Sequence, residues 1–140
     1  MKTGSTSIET VCTTVDGFSY GIRPIRHDDG QKLIELFNHL SPENRYLRFA
    51  HAISKLPDEY LEDILELDYQ YEMALVAFVK NAANKEEIIG VARYVSEDLE
   101  SRCEFSISVS DAYSSHGVGM NLMKHLIQYA RSQGLKIMLG

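Results

Sequence analysis

Val109-Ser110-Asp111-Ala112-Tyr113-Ser114-Ser115-His116-Gly117-Val118-Gly119-Met120 is the stretch whose reading decides the fold. Before it lies a strand-like alternation, Cys103-Glu104-Phe105-Ser106-Ile107-Ser108-Val109. After it the pattern predicts an amphipathic helix from about Val118 to Gln133. A strand feeding a Gly-x-Gly loop that opens a helix is a phosphate cradle. Its glycines let the backbone approach an anion, and the first helical turn offers unpaired N–H groups with partial positive charge. A dinucleotide loop would need another glycine at residue 122, where Leu122 stands. A nucleoside-triphosphate loop would need Gly-Lys-Ser/Thr, which is absent.

Downstream of the cradle, Leu122, Met123, Leu126, Ile127 and Ala130 fall on one helix face, and Gly134 is the expected left-handed helix end. Leu135 to Leu139 reads as a last strand, reached by a right-handed parallel crossover. Upstream, Met73 to Val79 is nearly all apolar and predicts a strand buried on both faces. Glu87 to Val95 is the next strand, and these two with Arg102–Val109 form an antiparallel meander. Nearer the start, Ile8–Val15 and Phe18–Ile25 flank Asp16-Gly17, a hairpin signal because a tight turn needs positive φ. Asp28 and Asp29 are expected to cap a helix reaching about Leu40, with Leu33, Leu36, Phe37 and Leu40 inward and Gly30 an unhelpful residue at its start. Ser41-Pro42 opens a short helix to Phe49. Another runs from Pro57 to about Leu67, with Tyr60, Leu61, Ile64 and Leu65 inward. Residues 1–15 then form a tail and first hairpin strand, and 16–140 one domain.

The net charge of -6 argues against a nucleic-acid binder, whose affinity rests on a basic surface. No apolar run approaches a membrane span, and Met1 to Ser7 does not read as a secretory signal. Cys12 and Cys103 make no disulfide framework, so a cytoplasmic, reducing location is expected.

The chain resembles the GNAT superfamily of acetyl-CoA-dependent N-acetyltransferases. Ser114-Ser115-His116-Gly117-Val118-Gly119 is similar to the family's Gln/Arg-x-x-Gly-x-Gly/Ala motif, which binds the cofactor's pyrophosphate through backbone N–H groups. Three further stretches resemble the bacterial protein-lysine acetyltransferases that act on acyl-CoA synthetases. They are Asp16-Gly17 with Ile22-Arg23-Pro24-Ile25; Leu40-Ser41-Pro42-Glu43-Asn44-Arg45-Tyr46-Leu47-Arg48-Phe49; and Asp68-Tyr69 with Met73-Ala74-Leu75-Val76-Ala77. The resemblance covers about residues 16–140. It implies an α/β, GNAT-like, mixed and mostly antiparallel sheet flanked by helices, with an N-terminal hairpin and a truncated C-terminal end. It implies acetyl-CoA as cosubstrate, no metal, and an amine acceptor, such as a lysine of an acyl-CoA synthetase or other protein. Contacts to the cosubstrate are then expected from Ile107, Val109, Ser114, Ser115, His116, Gly117, Val118, Gly119 and Met120. Ser114 stands where Gln or Arg is usual, which should lower affinity modestly if binding is mainly through the main chain. The family continues past this strand with a helix and two strands. An uncovered edge at Leu135–Leu139 would be an association hazard: the chain is expected to pair with a second copy, to exchange a segment or to be a poor catalyst, and it reads as a fragment, a chain whose sheet a partner segment completes, or less than a full enzyme.

Acetyl transfer to an amine needs a neutral nucleophile, while a lysine ammonium is almost fully protonated near neutral pH. A base must take the proton. In the enzymes the chain resembles, a Glu of the corresponding strand does so, which makes Glu104 the candidate. Alternation puts Glu104 with Ser106 and Ser108, opposite Phe105, Ile107 and Val109; the plain alternative is a solvated strand carboxylate. His116 reads as a phosphate contact or an exposed loop ring, Tyr113 as a proton donor or a structural tyrosine, and Cys103 as a buried thiol. His27, His39, His51 and His125 lack metal-ligand spacing, and Arg45 and Arg48 read as partner contacts or local ion pairs. Two other functions stay open: a non-catalytic module that holds acyl-CoA or a protein partner, and a small-molecule amine acetyltransferase.

Overall fold

The computed structural model describes residues 10–13, 17–40, 58–67, 72–96 and 103–132, with Asp58, Glu59, Tyr60, Asp63, Cys103, Glu104, Ser114 and Ser115 described through their backbone. The expected helix at 42–49, the ends of the helix at 57–67 beyond Asp58–Leu65, Gly134 and the last strand at 135–139 lie outside the described residues or bounds.

Five strands form one antiparallel sheet in chain order: β1 (Thr10–Thr13), β2 (Ser19–Pro24), β3 (Glu72–Lys80), β4 (Glu86–Ser96) and β5 (Cys103–Val109). Helices α1 (Gly30–Asn38) and α2 (Asp58–Leu65) cover one face, and α3 (Val118–Ser132) covers the other. The central strand β3 is buried from Met73 to Phe78, as a nearly continuous apolar run requires. Its Met73, Leu75 and Ala77 pack under α3, and its Ala74 and Val76 under α1 and α2. Leu33, Leu36, Phe37 and Leu40 are all buried, as their spacing predicts. On α3 the fully buried stripe is Val118, Leu122, Leu126 and Ala130, every fourth residue, while Met123 and Ile127 are only half-buried. The axis of the stripe is therefore rotated from the one the apolar residues suggest, because the helix seats on the sheet through the narrower set.

A β-bulge interrupts the β3–β4 ladder. Ala77 pairs with Gly90 and Phe78 with Ile88, so Ile89 is the extra residue. The inserted residue shifts the phase of β4: Ile88 and Val91 face α1 and α2, whereas Ile89 and Ala92 face α3. Gly90, beside the bulge, lets α3 come close; a Cβ there would stand 3.1 Å from Leu122 Cδ1 and 3.3 Å from the Ser108 carbonyl.

The N-terminal hairpin forms, but its last paired residues are Thr13 and Ser19. Gly17 takes the positive φ (87°), and Phe18 has left the ladder, so the connection is longer than a tight two-residue turn.

The start of α1 also differs from expectation. A 3₁₀ turn, His27–Asp29, precedes Gly30. Asp29 accepts the Arg26 N–H at 2.7 Å, so it closes the 3₁₀ turn and makes no side-chain cap bond to α1. Gly30 lets α2 approach, since a Cβ would lie 3.3 Å from Leu65 Cδ1. Arg23 Nη1 and Nη2 donate to the two Asp29 oxygens at 2.8 and 2.9 Å, and Nη2 donates to Glu86 Oε1 at 2.8 Å. Arg23 and Asp29 are almost wholly buried, at 1% and 0% exposure. Lys32 Nζ stands 3.5 Å from Glu86. Burial is the largest single influence and would push the Asp29 and Glu86 carboxyls up, but the Arg23 hydrogen bonds, the Arg26 N–H on Asp29 and the charges of Arg23 and Lys32 together outweigh it and hold both below the usual carboxylate range.

Replacing Arg23 by Leu should lower unfolding free energy by about 3–5 kcal/mol at neutral pH, because Asp29 is left buried without its partner. Denaturant titration at several pH values checks this. In the parent, Asp29 and Glu86 have depressed folded values, so their stabilisation is full above the ordinary carboxyl values of 3.8 and 4.5 and is lost as pH falls below them. In Arg23→Leu the unpaired Asp29 gains from protonation, so the gap between the two proteins should narrow in acid.

Candidate functional site

β5 ends at Val109, and the buried Ser110 N–H donates to the carbonyl of the bulge residue Ile89 at 2.8 Å. The bulge thus fixes where the chain leaves the sheet. Asp111–His116 is a 3₁₀ helix, where the sequence suggests an open loop. Gly117 follows in the left-handed region (φ 72°, ψ 15°) and α3 begins at Val118. A left-handed residue between two right-handed helical segments turns the chain sharply, and glycine adopts it without a Cβ penalty. The first helical hydrogen bond runs from the Asn121 N–H to the Gly117 carbonyl at 3.1 Å. The amides of Val118, Gly119 and Met120 precede it and have no acceptor within the helix. No acidic side chain stands in that first turn.

Space around the turn is unequal. A Cβ at Gly117 would meet nothing within 4 Å, so the backbone there is open to approach. A Cβ at Gly119 would stand 3.4 Å from both Ile107 Cδ1 and Val109 Cγ2, so the helix start packs on the end of β5. Ile107 (37% exposed) and Met120 (68% exposed) are among the exposed large apolar side chains of the described residues. The structure therefore brings Ile107, Val109, Gly117, Gly119 and Met120 together. Val118 is fully buried, backbone included, so it belongs to the core under α3. Ser114 and Ser115 lie in the 3₁₀ helix.

His116 does not simply expose its ring. It stacks on Phe18, with centroids 4.4 Å apart and planes at 25°. The Tyr113 ring lies 5.5 Å from that of Phe18. Tyr20 stands 5.7 Å from Phe18, and its Oη accepts from the Asn121 amide at 2.6 Å. Burial pushes the Tyr20 phenol up, with the Asn121 hydrogen bond partly opposing, so the group stays neutral. This aromatic cluster is legible in the sequence only as the alternation of Phe18, Tyr20 and Ile22; its partners are about a hundred residues away.

Glu104 pairs with Val95 across the β4–β5 ladder, and Ser106 with Arg93. Phe105 and Val109 pack under α3, so alternation assigns position 104 to the opposite face of the sheet, with α1 and α2. Val109 lies five steps further along the strand, about 17 Å away. On that face an open cavity of about 900 Å³ is lined by His27, Glu62, Leu65, Glu66, Glu72, Arg93 and Val95. Arg93 Nη2 donates to Glu72 at 2.8 Å, which leaves the lining acidic. No cluster able to hold a metal ion occurs among the described residues. His39 lies 4.0 Å from Glu87, and His125 Nδ1 is 2.8 Å from the Asn121 carbonyl, both local contacts. Cys12 is a free thiol. His51, Arg45 and Arg48 lie outside the described residues. None of the described helices is long and apolar enough to cross a membrane.

An antiparallel sheet lies between helical layers and leads through a strand end and a left-handed glycine into a helix start, a mixed α/β arrangement. Residues 33–140 match the model of the acetyltransferase (GNAT) family, and the chain belongs to that family. An acetyltransferase of Pseudomonas aeruginosa is 35% identical over 123 residues, which are 88% of this chain and 66% of that protein. The chain thus spans just under two thirds of that relative's length. The crystal structure of the GNAT domain of S. lividans PAT superposes with a TM-score of 0.80 at 24% identity, over 94% of this chain and 77% of that one. A cAMP-binding acyltransferase from Mycobacterium smegmatis gives a TM-score of 0.59 at 25% identity, over 94% of this chain and 38% of that one.

Gly117→Ala should cost about 1–2 kcal/mol of stability from the left-handed backbone alone, since its Cβ has room. Thermal unfolding checks this: a loss well beyond that range would mean that the space at Gly117 is filled.

Proposed function

We propose that this chain is an acetyl-CoA-dependent N-acetyltransferase that acetylates an amine, in particular a protein lysine. The observation that carries the reading is the open, left-handed Gly117 ahead of the unpaired amides of α3, flanked by exposed Ile107 and Met120. These parts fit coenzyme A. The amides of Gly117, Gly119 and Met120 would hold the pyrophosphate, the role of helix starts toward anions. Ile107, Val109 and Met120 would lie along the apolar arm, with Ser114, Ser115 and His116 at the phosphate end. Acetyl-CoA, when bound, supplies the acetyl thioester. An elongated cosubstrate also suits the distance of about 17 Å between the cradle and Glu104.

The chain's own work is to move one proton. The acceptor arrives as an ammonium, and the Glu104 carboxylate would take one proton from it, directly or through water, as the nitrogen attacks the thioester carbonyl; the C–S bond then breaks, and the second N–H proton leaves with the thiolate as the CoA thiol. The acidic lining of the cavity beside Val95, the ladder partner of Glu104, favours a cationic acceptor. That supports an amine of any size. The preference for a protein lysine, on an acyl-CoA synthetase or another protein, rests on the motif resemblance at residues 16–25, 40–49 and 68–77. We assign the protein to the cytoplasm on its cysteine usage, and pairing of two copies through residues 135–139 remains part of the proposal.

Two measurements test the reading. Calorimetry with CoA should give binding by Gly117→Ala and a large loss with Gly117→Glu, because the added carboxylate repels the anion and fills its approach. Equal binding by both would sink the cradle. Glu104→Gln should lower turnover about 100- to 10,000-fold with CoA affinity kept, since the change preserves shape and removes the base. Turnover unchanged across the pH range would reduce Glu104 to a strand carboxylate.

A further inference from the structure

We propose that Phe18, on the N-terminal hairpin, is a positioning residue for the cosubstrate cradle; the proposal rests on the reading of that cradle given above. A 3₁₀ helix has three residues per turn, so side chains three apart eclipse one another. Tyr113 and His116 are such a pair within Asp111–His116. Both rings therefore stand on one side of the segment, and both meet the same Phe18 ring, at 5.5 and 4.4 Å between centroids. In an α-helix the two side chains would diverge by about 60°, and one flat ring would not serve both so well. Phe18 thus favours the 3₁₀ form over its alternatives.

The consequence reaches the anion site through one residue. Gly117 directly follows His116, and its φ of 72° and the direction of the next amides depend on where the 3₁₀ segment ends. On the far side of Gly117, the Asn121 N–H closes the first turn of α3 onto the Gly117 carbonyl, while the Asn121 side-chain amide donates to Tyr20 Oη at 2.6 Å. Phe18 and Tyr20 stack on each other at 5.7 Å. The hairpin therefore grips the chain both before and after Gly117. Phe18 itself lies outside the β1–β2 ladder, so no strand pairing depends on it. Its half-buried ring serves the distant turn.

Kinetics and calorimetry on the full-length protein test this. Phe18→Ala should weaken CoA binding and raise the KM for acetyl-CoA about 10-fold, the effect of losing stacked aromatic partners. At saturating acetyl-CoA, kcat and the KM for the amine should stay within about 2-fold, a split that general loosening of the fold would not produce. Phe18→Tyr, which keeps the ring face, should restore affinity. Leu126→Ala cuts the core under α3 without touching the brace, and it should lower thermal stability while binding CoA normally below its transition. Normal CoA binding by Phe18→Ala, alongside loss in Gly117→Glu, would overturn the brace and leave the cradle standing. Normal binding by Gly117→Glu would overturn the cradle and the brace with it.

Discussion

The buried Arg23–Asp29–Glu86 cluster is the constraint on which the arrangement of this sheet and its first helix depends. Arg23 sits on β2, Asp29 closes the turn into α1, and Glu86 opens β4, so one guanidinium joins three separate elements. The route it takes is prepared by two neighbours. A Cβ at Gly21 would overlap the Phe78 ring, so glycine lets that ring lie across β2. The guanidinium then rests over the ring at 5.3 Å and reaches past β3 to Glu86. A buried arginine is tolerable only because two carboxylates share its charge and the ring covers its face. Such a cluster adds little net stability over an apolar replacement, but it admits one geometry, which sets the entry of α1 relative to the strands.

With β2 fixed by that cluster on one face, its other face is free to pack on α3 and the glycine turn before it. Ile22 continues the core under α3, and Tyr20 and Phe18 carry the same strand outward to the turn before that helix. The bulge at Ile89 acts from the other side. It offers its carbonyl to Ser110, and the adjacent Gly90 lets Leu122 close onto the sheet. The strand end, the 3₁₀ segment and the helix start are thus held by β2 and β4 together.

The two faces of β5 divide the chemistry. The cradle belongs to the α3 side, while position 104 and the acidic cavity belong to the side of α1 and α2. Strand alternation alone produces this division.

The sequence by itself determined the N-terminal hairpin, the meander, the buried β3 and the glycine turn ahead of an amphipathic helix, but not that β2 pairs with β3. These features are local: they follow from residue period, turn chemistry and the absence of a Cβ, which act within a few residues. It also carried the family resemblance in the Ser114–Gly119 motif. Only the tertiary structure decided that Asp29 is an ion-pair partner as well as a turn closer, that β4 carries a bulge at Ile89, and that α3 seats through Val118, Leu122, Leu126 and Ala130. It alone converted His116 from a polar loop residue into a ring stacked on Phe18. Each of these joins residues far apart in the chain, and composition or period says nothing about which distant partner a side chain will meet. That choice is made by packing, where burying a charge or a ring demands a specific neighbour.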